Sequence, residues 1–169
     1  MPKKIVILGA NGQLGKALTQ HTSSLDSVSS FTRNTFDICN SKHYQILHDI
    51  KPDIIINAAA YTAVDLAETE EDSCYEANTI AAACLAKIAK QLQSIFIHFS
   101  TDYVFDGEKN TEYTETDPAC PLNVYGQSKW EGEQAIQSIA ANHLIFRVSW
   151  LYSHVGKNFF NTCLRLGQT

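Results

Sequence analysis

A run of β-branched and apolar residues at 4–8 leads directly into Gly9-Ala-Asn-Gly12-Gln-Leu-Gly15, and a helical pattern then continues to about residue 20. This order of strand, glycine turn and helix constrains the fold more than any other feature of the chain. Gly9 permits a tight turn, Gly12 lets the backbone come close to a bulky anion, and Gly15 lets the helix lie close on a sheet. The first turn of the helix offers unpaired N–H groups and the positive end of the helix dipole, a seat suited to a diphosphate. Three glycines at this spacing are a weak signal alone, and the strand–turn–helix context supplies the mechanism.

The rest of the chain repeats the alternation. Residues 28–32 read as a second strand. Residues 42–50 read as a helix that stops at Lys51-Pro52, because proline disfavours helix in the residue before it. A strand at 53–57, an alanine-rich helix at 72–92 and a strand at 94–100 follow. A polar loop marked by Pro and Gly covers 106–121, then come a helix at 124–140, a strand at 144–149 and a helical start at 159–169. Strands joined through helices imply parallel pairing with right-handed crossovers. The expected fold is α/β, a doubly wound parallel sheet of the Rossmann type. It forms one dinucleotide-binding domain over 1–169, with ligands at the carboxyl ends of its strands.

Composition narrows the partners. The net charge is −5 and no stretch is rich in Lys or Arg, which argues against nucleic acid or an anionic membrane surface. The purely apolar runs are short, such as Ile54-Ile55-Ile56, so no segment can span a bilayer. The five cysteines, Cys39, Cys74, Cys84, Cys120 and Cys163, are odd in number and widely spaced, with no Cys-x-x-Cys. A disulfide framework is not expected, and a reducing cytoplasm is the natural compartment. The six histidines form no His-x-x-x-His pair, and no metal site is expected.

Two groups of residues carry chemistry. Tyr125-Gly-Gln-Ser-Lys129 places a phenol and an ammonium four apart at a helix start, on one face. An ammonium beside a phenol is expected to lower its pKa from about 10, so that it can exchange a proton with a carbonyl oxygen. Ser100-Thr101-Asp102 ends a strand, where a hydroxyl could hydrogen-bond the same oxygen, and either Ser100 or Thr101 could serve. After the second strand, Thr32-Arg33-Asn34 holds no acid for a ribose 2′-hydroxyl. Arg33 suits a 2′-phosphate instead, which favours NADPH with NADH as the alternative; a solvated surface arginine is the plainer reading.

These residues, together with Asn57-Ala-Ala-Ala-Tyr-Thr-Ala-Val-Asp-Leu-Ala-Glu68, Ser100-Thr-Asp-Tyr-Val-Phe-Asp-Gly107 and Arg147-Val-Ser-Trp150, resemble the dTDP-4-dehydrorhamnose reductases, extended short-chain dehydrogenase/reductases. The resemblance implies NAD(P)H-dependent reduction of the C4 ketone of dTDP-4-dehydro-L-rhamnose, giving dTDP-L-rhamnose. It implies Thr101, Tyr125 and Lys129 as the catalytic set. It implies cofactor contacts at Gly9, Asn11, Gly12, Gln13, Leu14, Gly15, Arg33, Asp37, Ile38, Ala58, Ala59, Ala60, Asn78, Tyr125 and Lys129. Thr62, Val64 and Trp150 are the implied substrate contacts, although a core aromatic is an equal reading of Trp150. Some members hold Mg²⁺ at a dimer contact through a glutamate two residues after the last glycine. Ala17 stands there in this chain, so that metal is not expected, while a homodimer stays open. Members are longer and carry a C-terminal substrate-binding portion, so this chain reads as an N-terminal portion with weak or no turnover by itself. A related nucleotide-sugar epimerase or dehydratase, for which Asp102 is the pointer, and a non-catalytic NAD(P)-binding regulatory subunit are the competing readings.

Overall fold

The computed structural model describes residues 2–22, 24–25, 27–140, 142–153 and 158–167. Five strands, β1 (Ile5–Leu8), β2 (Val28–Phe31), β3 (Ile54–Asn57), β4 (Ile95–Thr101) and β5 (His143–Val148), form one parallel sheet in the order β2-β1-β3-β4-β5. The helices are α1 (Gln13–His21), α2 (Tyr44–Ile50), α3 (Val64–Ala67), α4 (Glu71–Tyr75), α5 (Ala81–Leu92), α6 (Val124–Ile139) and α7 (Phe159–Leu166). Right-handed crossovers put α2, α5 and α6 on one face of the sheet. The step from β1 to β2 runs the opposite way, so α1 lies on the other face. The doubly wound reading therefore holds. No helix among the described residues is long and apolar enough to cross a membrane.

The main core lies between the sheet and α2, α5 and α6. Val6, Leu8, Ile55 and Phe96 point from the strands against Leu47, Leu85 and Ile136 of the helices, all seven with no exposed surface. These apolar strand residues recur at every second position, as the pleat requires for one buried face. The direction of strand order reverses between β1 and β3. Such a switch point opens a crevice beyond the carboxyl ends, and the loops after β1, β3 and β4 border it.

The helix expected over 72–92 is present and runs from Glu71 to Leu92, with one π-turn inside it. A π-turn at Glu76–Ile80 separates α4 from α5, and the short α3 was not anticipated from the sequence. α6 packs directly on the π-turn. A Cβ at Gly132 would sit well inside the van der Waals envelope of the Asn78 carbonyl oxygen, and one at Gly126 would meet the Tyr103 carbonyl in the same way. These two backbone contacts bring α6 close to both the π-turn and the short 3₁₀ turn at Asp102–Val104 that follows β4. Gly132→Ala should therefore force the two backbones apart and destabilise the fold by about 1–3 kcal/mol. A urea unfolding curve checks this; an unchanged midpoint would show that the approach is slack.

Candidate active site

The glycine turn is built as its sequence suggests. Gly9 has φ +83, and its N–H and that of Ala10 both donate to the Phe31 carbonyl, at 3.0 and 2.8 Å. A Cβ on Gly9 would lie 2.7 to 2.8 Å from the Ala58–Ala59 peptide, so the turn after β1 rests directly on the chain leaving β3. Gly12 is the N-cap of α1 and gives no side-chain hydrogen bond, which leaves the first-turn N–H groups of Gln13, Leu14 and Gly15 without an intrahelical acceptor. Gly15 is buried against the Gly9 carbonyl. Asn11 is exposed at the tip, and the Gln13 side chain donates to the Leu151 carbonyl at 2.6 Å.

On the far side of β1, Arg33 stands exposed beyond β2 and pairs with Asp37 at 3.6 Å. The Asp37 carboxylate accepts from the Cys39 N–H at 3.0 Å, its own N–H donates to His43 Nδ1 at 2.7 Å, and Ile38 is buried beneath. Beyond β3, Ala58, Ala59 and Ala60 put only methyl groups at the crevice. Asn78 fixes the next residues: its Oδ1 accepts from the Tyr61 N–H at 3.0 Å, and its Nδ2 donates to the Tyr61 carbonyl and to Ser128 Oγ, each at 3.1 Å. Thr62 is exposed and Val64 opens α3.

Thr101 ends β4 and Tyr125 is the second residue of α6, whose start is capped by the Asn123 side chain accepting from the Gly126 N–H at 2.7 Å. The structure brings the Thr101 and Tyr125 side chains together. Ser100 is buried with its hydroxyl unpartnered and, by strand alternation, faces the opposite way, so Thr101 is the hydroxyl beside the phenol. Thr101 Oγ1 also donates to Asp102 and accepts from the Tyr103 N–H, both at 3.2 Å. Tyr103 meets the Tyr125 ring edge-on, with centroids 5.8 Å apart.

The expected effect of Lys129 on the phenol is not what the structure shows. Burial raises the Tyr125 phenol above its ordinary value, and the contact with Thr101 only partly opposes this. Lys129 is 1% exposed and makes its hydrogen bonds elsewhere, to the Phe99 carbonyl at 2.6 Å and His98 Nε2 at 3.2 Å. Burial lowers Lys129 to about 8, with the nearby Glu133 opposing. Glu133, one turn along α6 and also 1% exposed, takes a bidentate pair from Arg147 of β5, at 3.0 and 2.7 Å. The Arg147 guanidinium lies over the Phe105 and Trp130 rings.

A cleft of about 410 Å³ is lined by Asp102, Tyr103, Phe105, Tyr113, Leu122, Asn123 and Trp150, among others; it reaches Tyr103, which meets the Tyr125 ring, but Tyr125 itself does not line it. Trp150 is 60% exposed and meets the Phe159 ring at a steep angle, with centroids 5.0 Å apart, so it is no core aromatic. Its φ of +39 is a strained value for a side chain of that size. Sequence reasoning missed His98, Glu133, Tyr103, Phe105 and Tyr113. The i, i+4 spacing of Lys129 and Glu133 was a visible signal; nothing local marks the aromatic wall.

This geometry can be set beside known proteins. A protein-family model described as RmlD substrate binding domain matches residues 3–169. The chain belongs to this family. A dTDP-4-dehydrorhamnose reductase of Burkholderia thailandensis is 43% identical over 98% of the chain and 56% of its own length. That of Escherichia coli K12 is 41% identical over 97% and 56%. The crystal structure of dTDP-4-dehydrorhamnose reductase from Bacillus anthracis in complex with NADP has a TM-score of 0.95 at 40% identity, covering 99% of this chain and 60% of that one. The RmlD-family chain thus spans a little over half the length of the curated relatives it matches.

Lysine in water titrates near 10.5, while Lys129 in the fold titrates at about 8. Between these values the unfolded chain holds a proton that the folded one has released, so raising the pH through that window favours folding. Stability measured at pH 8 and pH 10 should shift toward wild type relative to Lys129→Met as pH rises. A difference that stays constant would contradict the burial of this amine.

Proposed function

We propose that the chain is the dinucleotide-binding portion of a dTDP-4-dehydrorhamnose reductase, which takes NADPH and reduces the C4 ketone of dTDP-4-dehydro-L-rhamnose to dTDP-L-rhamnose. The observation that carries this reading is the meeting of Thr101 and Tyr125 at the carboxyl end of β4, with Lys129 one turn further along α6, beside the switch point. The crevice fits a dinucleotide. Its glycine turn leaves no room for a side chain against the Ala58–Ala59 peptide, the first turn of α1 is uncapped, and methyl groups line the exit from β3. Arg33, 81% exposed at its side chain, stands at the end of β2 with a guanidinium that suits a 2′-phosphate, which favours NADPH. The relative from Bacillus anthracis was solved with NADP.

A dinucleotide held there would supply hydride to the ketone carbon. Tyr125 keeps its proton at neutral pH, because burial raises the phenol, and passes it to the ketone oxygen. The Thr101 hydroxyl, held by the Tyr103 N–H that it accepts, would turn its one proton from Asp102 to that same oxygen. Lys129, when protonated, offsets the charge left on the phenol. The cleft walled by Tyr103, Phe105 and Trp150 suits a sugar ring, whose C–H faces pack on aromatic surfaces. The five cysteines are all unpaired, in keeping with a reducing cytoplasm, and a homodimer belongs to the same proposal.

Tyr125→Phe should bind NADPH as tightly as wild type in a fluorescence titration. Placed in the full-length reductase, the same substitution should lower NADPH oxidation with dTDP-4-dehydro-L-rhamnose by about 10²-fold or more. Equal oxidation rates would remove Tyr125 from the role of proton donor.

A further inference from the structure

Arg147 of β5 is held on its edge and on its flat sides. Glu133, buried on α6, takes two parallel bonds from it, Nε to Oε1 at 3.0 Å and Nη2 to Oε2 at 2.7 Å. A planar fork bound at two points to a planar carboxylate is fixed in orientation as well as in place. Trp130 shares a face of α6 with Glu133 at i, i+3 spacing, and the guanidinium lies over its ring, 5.5 Å from the centroid. The guanidinium lies over the Phe105 ring as well, at 4.9 Å. Nη1 is buried without a hydrogen-bond partner among the described residues, so ring faces rather than oxygens receive that end of the cation. Phe105 passes this fit to the loop that follows it. Tyr113 stacks on one face of the Phe105 ring, centroids 4.2 Å apart and planes 17° from parallel, which leaves the other face to Arg147. The Tyr113 hydroxyl donates to Asp106 at 2.7 Å and accepts the Lys109 N–H at 3.2 Å, and the Lys109 amine pairs with Asp117 at 2.6 Å. The loop is thus tied to itself around Tyr113, and Tyr113 rests on Phe105.

We propose that Arg147 is a positioning residue for the sugar: Glu133 fixes the plane of its guanidinium, that plane seats Phe105, and Phe105 seats Tyr113 and the loop. Phe105, Asp106, Gly107 and Tyr113 together make one side of the cleft. That side is a polar, largely exposed loop with little core of its own, so it needs an anchor in the body of the fold. The stack of Tyr113, Phe105 and Arg147 is that anchor, and it ends on two side chains of the helix that carries Tyr125. The distance between the cleft wall and the phenol is therefore set through α6. A lysine at 147 would keep a charge beside Glu133 and lose the plane, because an ammonium neither forks nor stacks.

The role toward the sugar rests on the reading of the cleft as the substrate site, while the anchoring can be tested without cofactor or substrate. In Arg147→Lys, amide hydrogen exchange over residues 105–117 should quicken by about tenfold, the scale of one lost cation–aromatic contact, with α6 and β5 near wild type. Phe105→Leu leaves the Glu133–Arg147 pair whole and should quicken the same segment. Wild-type exchange over 105–117 in Phe105→Leu overturns the proposal, even if Arg147→Lys does not fold. So does an Arg147→Lys variant that loosens α6 and β5 and leaves the loop alone, as an ion pair serving only the helix and the strand would. In the full-length reductase, Phe105→Leu should raise the KM for dTDP-4-dehydro-L-rhamnose by about tenfold, with kcat and the KM for NADPH little changed. A wild-type KM for the sugar nucleotide in that variant overturns the role toward the sugar. An unsubstituted full-length protein that oxidises no NADPH with this substrate would refute the proposed reaction instead, and the exchange result would stand.

Discussion

The closeness of α6 to the ends of β3 and β4 decides what this fold can do. Two glycines remove the side chains that would hold the helix off: Gly126 against the Tyr103 carbonyl and Gly132 against that of Asn78. Tyr125 adjoins the first of these contacts and Lys129 lies between the two, so the backbone fit of the helix sets where both residues stand. The π-turn at 76–80 belongs to the same fit, because it presents Asn78 both to α6 and to the loop after β3. A single π-turn within a helix is costly in regular hydrogen bonding and often marks a functional site. Here it ties the methyl-lined exit of β3 to the helix that carries the phenol.

Electrostatics make the second constraint. Burial sets the behaviour of Tyr125, Lys129 and His98 more than any neighbouring charge does. The one formal ion pair in that layer, Glu133 with Arg147, balances its own charge, while Arg147 Nη1 is buried without a hydrogen-bond partner. Removing one partner of such a pair typically costs 3–5 kcal/mol, because the other is left charged and buried. The layer beneath the candidate site is therefore rigid and nearly neutral, while the crevice above it is lined by free N–H groups and exposed aromatic edges.

Much of this was legible in the sequence, for reasons that differ by residue. The sheet could be read because Val6, Leu8, Ile55 and Phe96 sit in short apolar runs bounded by turns. The glycine turn could be read because its spacing sits between a strand and a helix. Thr101, Tyr125 and Lys129 were visible as types at a spacing, but the state of Lys129 was not. Its partner His98 is 31 residues away and reaches it only through the β4–α6 packing. The π-turn within the expected helix over 72–92 has no local mark in the sequence, and the residue it packs on, Gly132, is far along the chain. The aromatic cleft combines residues from 102 to 150 and has no local pattern.

The claim beneath all of this is that a dinucleotide crosses the switch point from the turn at Gly9–Gly15 to the phenol of Tyr125. A crystal structure of the chain grown with NADPH tests it most directly. The diphosphate should rest on the N–H groups of Gln13 and Leu14, and the nicotinamide ring should lie against Tyr125 with its ribose toward Lys129. A nicotinamide bound away from Tyr125, or a diphosphate seated elsewhere than the first turn of α1, would contradict the account.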